Sequence, residues 1–193
     1  GFVAENPEFA NQCNESGFKI IGPSSETIKK MGDKITAKNF VSNYGIPTVP
    51  GYTGEIPEDE SKFKNIVKEI GYPIILKATA GGGGRGMRVV ETEEELINFT
   101  EITMQEAQNS FGNNKVYIEK YIQNPRHIEV QIIGDGKGNA IHLGTRDCST
   151  QRRHQKIIEE APAINIENES LSKILVSCTN LCKEINYEGV GTL

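Results

Sequence analysis

The sequence has 193 residues, 36% of them hydrophobic and 24% charged, with a formal net charge of −5. That is material for one large domain or two small ones with a real core, while the acidic balance argues against a nucleic-acid coat or a protein held to anionic membranes by charge. No apolar run approaches the roughly 20 residues of a spanning helix, no signal-peptide pattern opens the chain, and Cys13, Cys148, Cys178 and Cys182 lack a disulfide or zinc spacing, which makes them free thiols of a reducing compartment.

In chain order, residues 8–15 are predicted as a short helix, and Phe18, Lys19, Ile20 and Ile21 as a strand. Ser24 or Ser25 caps a helix running to Met31, and Asp33 caps the next, up to Tyr44, with Gly45 ending it. Two prolines and a glycine within residues 46–51 mark a connector between subdomains. From Pro57 an amphipathic helix runs to Ile70, with Phe63, Ile66, Val67 and Ile70 on one face and Gly71 at its end. A strand (residues 72–76), a glycine tip and a second strand (87–90) follow, then an acidic helix from about Thr92 to Gln108 and a strand over residues 115–121. Residues 49–121 thus read as one β-α-β-β-α-β unit. Beyond Asn124 and Pro125 the pattern turns antiparallel: a strand over 127–133, a turn over 134–139, a return over 140–143 and a third strand over 155–160. A helix over 167–185 places Leu171, Ile174, Leu175, Cys178, Leu181, Cys182 and Ile185 at core spacing, and residues 189–193 begin a last strand. The chain opens on Gly1 and stops within an apolar stretch, so both natural ends are expected to lie outside it.

The stretch over residues 77–88, KATAGGGGRGMR, carries the first chemical signal. Five glycines in a hairpin tip each cost about 0.5–1 kcal/mol relative to alanine, and a hairpin turns with two residues. Surplus glycine between cations suits a loop whose N–H groups fold over phosphate oxygens. The match of Gly81, Gly83 and Gly86 to the dinucleotide fingerprint fails on context, because that loop must open a helix and Met87 begins a strand. A Walker loop fails because Met87 stands where its lysine belongs. Lys77 ends the strand before the tip, and Lys34 sits in a first helical turn; both suit phosphate. Glu119, Lys120, Tyr121 and Ile122 close a strand at a subdomain boundary, either as the grip on a nucleotide base or as an ordinary strand-end charge pair. The densest polar run extends from Arg146 to Lys156 and includes Gln151 and His154; anion binding stands beside a solvated charged loop there. His127, Glu129 and Gln131 alternate on one strand face, as metal ligands, phosphate or ribose contacts, or a plain polar row. His142 reads as a satisfied core or edge histidine.

Together these motifs resemble biotin carboxylase, the ATP-grasp component of acetyl-CoA carboxylase and related biotin-dependent carboxylases. The resemblance rests on the glycine stretch, on Met31 to Lys34, on the strand end at Glu119 and Lys120, on RHIEVQ over residues 126–131, and on RDCSTQRRHQK over residues 146–156, all in family order. It implies an α/β (α+β) ATP-grasp fold in which residues 1–48 end a first domain, 49–121 form the lid subdomain and 122–193 begin the last. It implies ATP and Mg2+ (or Mn2+), bicarbonate activated as carboxyphosphate, and a biotin ureido nitrogen on a biotin carboxyl carrier protein as acceptor. Carried over by position, Lys34 and Lys77 contact ATP phosphates, and Gly83 and Gly84 belong to the lid. Glu119, Lys120, Tyr121 and Ile122 hold adenine with Met87 near it, His127, Gln151 and His154 lie along the ribose and phosphates, and Lys156 binds bicarbonate. The metal-binding glutamates are expected beyond Leu193, so this stretch alone is expected to be inactive. A carboxyltransferase partner, a homodimer in the full-length enzyme and a cytoplasmic location, with plastid or mitochondrion as alternatives, follow from the same resemblance. The rival readings are another ATP-grasp ligase, such as a carbamoyl-phosphate synthase or a peptide ligase, the corresponding part of pyruvate or propionyl-CoA carboxylase, and a non-catalytic nucleotide-binding module.

Overall fold

Two antiparallel four-stranded sheets, each with helices of its own, organise the computed structural model, which describes all residues except 1, 2, 4, 5, 33, 80–85 and 154. Contacts divide the chain into two units, one made of residues 1–48, 126–151 and 156–193, the other of residues 49–125 and 152–155.

The second unit holds β1 (Gly51–Tyr52), α4 (Glu60–Ile70), β2 (Ile74–Ala78), β3 (Met87–Val90), α5 (Glu93–Phe111) and β4 (Val116–Lys120), in the element order read from the sequence. Its sheet order is β1-β4-β2-β3. Helix α4 starts three residues later than Pro57, because the Asp59 carboxylate accepts the Lys62 N–H at 3.0 Å and so fixes the N-cap. It stops at Gly71, whose φ of +80° favours glycine. The Glu95 carboxylate accepts from the N–H groups of Glu91 (2.9 Å) and Thr92 (3.3 Å), tying down the start of α5. Phe63 and Val67 of α4 and Leu96 of α5 close over Ile74, Leu76, Val90 and Ile118 to form the core. Burying each such side chain contributes roughly 1.5–3 kcal/mol. Strand alternation turns Lys77, Met87 and Glu119 to the opposite face: Lys77 pairs with Met87 and Tyr117, and Ile75 with Glu119.

The first unit holds α1 (Pro7–Glu15), α2 (Ser25–Gly32), α3 (Lys34–Ser42), β5 (Ile128–Asp135), β6 (Ala140–Arg152), β7 (Gln155–Glu160), α6 (Asn168–Glu184) and β8 (Glu188–Thr192), with sheet order β7-β6-β5-β8. Val130, Ile132 and Ala140 of the sheet pack with Cys178 and Cys182 of α6. The apolar stripe predicted on that helix is the face that lies on the sheet.

Four expectations change. The segment 18–21 is not a strand: no ladder forms along it among the described residues, and Phe18 and Ile21 are 70% and 96% exposed. An apolar run becomes a strand only where another strand can take its backbone hydrogen bonds. The return strand β6 runs on to Arg152, so the dense polar run is sheet and not a solvated loop. Its charged side chains have partners of opposite charge: Arg146 faces Glu129 across the β5–β6 ladder, and Asp147 is held by Arg126 at 2.8 Å. His142 lies exposed on β6, opposite Ile132 of β5, and so not in the core. Helix α3 ends at Ser42, two residues before Tyr44, where the Ser42 hydroxyl donates to the Asn39 carbonyl. The predicted cap Asp33 lies outside the described residues.

Candidate functional site

On the second unit, Lys77 projects from the open face of the sheet beside Glu119. Its ammonium donates to Glu119 Oε2 at 2.5 Å, and the two side chains are 25% and 12% exposed. Met87, directly opposite Lys77 in the β2–β3 ladder, is half-buried on the same face. Lys120 behaves differently from its neighbour: its ammonium donates to the carbonyls of Gly71 (2.9 Å) and Tyr72 (2.7 Å), and so pins the turn before β2. The Tyr121 N–H donates to the Pro73 carbonyl, and Ile122 is 50% exposed just beyond the strand end. Gly86 closes the hairpin with φ +69°, and its carbonyl accepts the Ala78 N–H at 2.7 Å. A Cβ on Gly86 would stand 2.8 Å from that of Ala78, so the hairpin itself requires this glycine. Gly83 and Gly84 lie outside the described residues.

On the first unit, His127, Gln151 and Lys156 converge around Glu129, the middle residue of the polar row His127, Glu129 and Gln131. Glu129, with a side chain only 8% exposed, pairs through Oε1 with the Lys156 ammonium and with His127 Nε2 (3.1 Å), and through Oε2 with Arg146 Nη2 (2.8 Å). Arg146 Nη1 continues to Glu159 Oε2 at 2.7 Å. The Gln151 amide N–H groups reach His127 Nδ1 (2.7 Å) and the Cys148 carbonyl (2.8 Å). A carbonyl only accepts, which sets the orientation of the amide; His127 Nδ1 is therefore an acceptor, and its hydrogen sits on Nε2, facing Glu129. Burial opposes ionisation of Glu129, but the hydrogen bond and charge of Lys156, with His127 and Arg146, hold its carboxyl below the usual range. The Glu129 hydrogen bond likewise raises the Lys156 ammonium, so Lys156 remains a cation throughout the physiological range.

The segment that leads into β5 is braced separately. Arg126 donates to Asp147 Oδ2 from Nε (3.2 Å) and Nη2 (2.8 Å), and to the carbonyls of Ile164 and Asn165. Asp147 accepts from the Ser149 hydroxyl and N–H, and the Ser149 hydroxyl accepts the His127 N–H at 2.9 Å. Gln131, grouped in the sequence with His127 and Glu129, instead donates to the Gly191 carbonyl of β8, beside an irregularity in the β5–β6 register. Among the described residues no set of three or more metal-ligating side chains forms. Lys34 opens α3 as an exposed residue, and His154 lies outside the described residues.

Glu129, Arg146 and Glu159 went unselected as site residues. The available signal was alternation: His127 and Glu129 share a face, and an acid buried on a strand needs cations opposite.

A family profile, carbamoyl-phosphate synthase L chain, ATP binding domain, matches residues 33–193. The chain belongs to that family. Within it, the chain is 55% identical over 192 residues to the biotin carboxylase of Pseudomonas aeruginosa, covering all of this chain and 43% of that protein. Among solved structures it superimposes on a biotin carboxylase–β,γ-ATP complex from Campylobacter jejuni with a TM-score of 0.90 and 50% identity, covering all of this chain and 43% of that one. A biotin carboxylase domain dimer of the Hydrogenobacter thermophilus 2-oxoglutarate carboxylase, solved with MgADP, ADP and bicarbonate, matches with a TM-score of 0.89 and 48% identity, over all of this chain and 42% of that one. The fold is therefore that of the biotin carboxylase ATP-grasp enzymes, and the chain spans less than half the length of these relatives.

Proposed function

We propose that the intact protein carrying this sequence uses ATP and bicarbonate to carboxylate biotin on a carrier protein, and that this chain supplies nucleotide and bicarbonate contacts for that reaction. The observation that carries the proposal is the Glu129 cluster, in which a permanently protonated Lys156 stands beside His127 and Gln151. Similarity to biotin carboxylases over the whole of this chain, which spans 43% of each of those relatives, supports it.

In this reading a bicarbonate oxygen attacks the γ-phosphorus of ATP, the bond to the β–γ bridging oxygen breaks, and ADP leaves carboxyphosphate behind. The ureido nitrogen of biotin then bonds to the carboxyl carbon as the C–O bond to phosphate breaks, and inorganic phosphate departs with the proton lost from that nitrogen. Lys156 holds bicarbonate as a point charge. Lys34 and Lys77 hold phosphate oxygens, the loop containing Gly83 and Gly84 covers them, and His127, Gln151 and His154 lie along the ribose and phosphates. Met87 and Glu119 to Ile122 receive the adenine. Lys120, with its ammonium occupied by the Gly71 and Tyr72 carbonyls, meets the base through its backbone. Residues 49–121 act as the lid subdomain, which excludes water from an intermediate that water destroys.

Magnesium belongs to the chemistry of such enzymes, where it neutralises phosphate charge. The described residues present no ligand set for it, since Glu129 and Glu159 are paired with cations, and no step here is assigned to a metal. A biotin carboxyl carrier protein, a carboxyltransferase and a second copy of the intact protein are the proposed partners. The proposed setting is the first half-reaction of acetyl-CoA carboxylase in the cytoplasm; no helix among the described residues is long and apolar enough to cross a membrane.

The test is ATP cleavage by the intact protein. Cleavage that requires bicarbonate and is stimulated by free biotin supports the proposal. Cleavage indifferent to biotin points instead to a carbamoyl-phosphate synthase type of ligase, the activity after which the matching family is named.

A further inference from the structure

The Glu129 carboxylate has two oxygens and three hydrogen-bonding neighbours, two of them cations, and the way they are shared out is specific. Oε1 takes Lys156 and His127, and Oε2 takes Arg146 alone. Arg146 stands directly opposite Glu129 in the β5–β6 ladder, on the strand between β5 and β7. Its other terminal nitrogen reaches Glu159 of β7 at 2.7 Å, so one planar fork spans acids on both neighbouring strands. Its Nε is buried with no hydrogen-bond partner among the described residues. That desolvation is unnecessary for an arginine serving only as surface charge, since it could turn outward and hydrate all its donors. Glu159 also lies 3.9 Å from Lys156 Nζ, and Arg146 holds one of its oxygens away from that ammonium.

We propose that Arg146 is a positioning residue, whose guanidinium locks the Glu129 carboxylate by bridging it to Glu159 and thereby fixes where Lys156 presents its charge. The inference rests on the reading of Lys156 as the bicarbonate contact. With Oε2 anchored, the carboxylate cannot rotate, and Oε1 stays aimed at Lys156 and His127. Lysine cannot substitute, because a point charge reaches one carboxylate and not two in a fixed plane.

Charge and position make opposite forecasts here. The two carboxylates balance Arg146 and Lys156, so Arg146→Met leaves the cluster one charge more negative, whereas Glu159→Gln leaves it one charge more positive. If Arg146 acted by charge alone, Arg146→Lys would restore turnover and Glu159→Gln would favour an anionic substrate. Fixed position demands that both variants lose turnover. The titration of Glu129 supplies a second readout. The groups facing it are His127 just before its own strand, Arg146 and Cys148 from β6, and Lys156 and Glu159 from β7. Removing the arginine removes a stabiliser of the ionised form, so Glu129 protonates at higher pH.

The experiment measures bicarbonate- and biotin-dependent ATP cleavage by the intact protein and its Arg146→Lys, Arg146→Met and Glu159→Gln variants across pH. It is paired with a carbon-13 NMR titration of the Glu129 carboxyl. We expect kcat to fall about tenfold or more in both Arg146 variants and about threefold or more in Glu159→Gln, with KM for ATP within about twofold of the parent. In Arg146→Met the acid limb of kcat and the Glu129 titration should both move up by about one pH unit. Wild-type kcat in Arg146→Lys, or undiminished kcat in Glu159→Gln, overturns the proposal; should Arg146→Met fail to fold, these two variants decide it. If the unsubstituted protein shows no biotin-stimulated cleavage, the functional reading fails. The NMR titration then decides the brace alone: an unmoved Glu129 in Arg146→Met rejects it.

Discussion

Lys77 and Glu119 stand two rungs apart on neighbouring strands, and the Lys77 ammonium donates to Glu119 Oε2 at 2.5 Å on the sheet face away from the helices. With both side chains largely covered, this pair is shielded better than a surface salt bridge, and a nucleotide phosphate must share or displace the carboxylate to reach the cation. Lys156, on the other unit, is held by a different acid.

Two lysines with separate acids should have separable roles. We predict that Lys77→Gln weakens ATP binding about tenfold or more, the scale of a lost charge-assisted hydrogen bond, as read by calorimetric titration of the intact protein. Lys156→Gln should keep ATP affinity within about threefold and abolish bicarbonate-dependent turnover. Equal loss of ATP affinity in both would show that the roles are not distinct.

Asp147 provides a pH test of the brace before the cluster. The Ser149 hydroxyl and the Arg126 guanidinium pull its carboxyl from the ordinary 3.8 down to about 2. A depressed folded pKa stabilises the fold above the unfolded value, and that stabilisation is lost as pH falls through the folded one. The melting-temperature gap between the parent and Asp147→Asn should therefore be full above about pH 5 and close towards about pH 2. A gap constant over that range would mean that the contact does not depend on the charge of Asp147.

Much of this fold can be read from residue spacing, and the exceptions share one cause. Helices α4, α5 and α6 appear as apolar stripes because a helix closes its own hydrogen bonds, and its pattern depends on local spacing. Segment 18–21 has strand composition but no neighbouring strand among the described residues, and β6 has a neighbour on each side but a charged composition; in both cases the partner decides, and the partner is distant in sequence. The site divides in the same way. His127, Gln151 and Lys156 can be picked out as polar residues in a dense motif, whereas Arg146 and Glu129 acquire meaning only once β5 and β6 are in register. Gly86 looked like part of a phosphate loop, yet hairpin geometry alone accounts for it.

Gly51 makes a comparable demand on the second unit. A Cβ there would stand 2.2 Å from the Ile118 carbonyl oxygen and 3.1 Å from the Glu119 Cα, both backbone atoms of β4. Gly51→Ala should cost about 1–3 kcal/mol in urea unfolding and weaken ATP binding through the displaced Glu119. An unchanged urea midpoint would show that β1 shifts without loss.

The thiols should separate by burial. Cys148, Cys178 and Cys182 are buried, and burial raises all three, Cys182 to about 11, whereas Cys13 is partly exposed. Because the thiolate is the reacting form, iodoacetamide at about pH 8 should label Cys13 first in the native protein and the others only on unfolding. Native labelling of Cys148 at the rate of Cys13, read by mass spectrometry, would contradict the buried strand position assigned to it.

The central claim is that bicarbonate attacks ATP directly, and oxygen transfer tests it. With oxygen-18 bicarbonate and unlabelled ATP, formation and breakdown of carboxyphosphate must leave one bicarbonate-derived oxygen in each inorganic phosphate released by the intact protein. Phosphate carrying that single label, formed faster when biotin or its carrier is present to accept the carboxyl group, is the predicted result. Unlabelled phosphate released at the full rate of ATP cleavage would mean that water is the nucleophile, and would contradict the account.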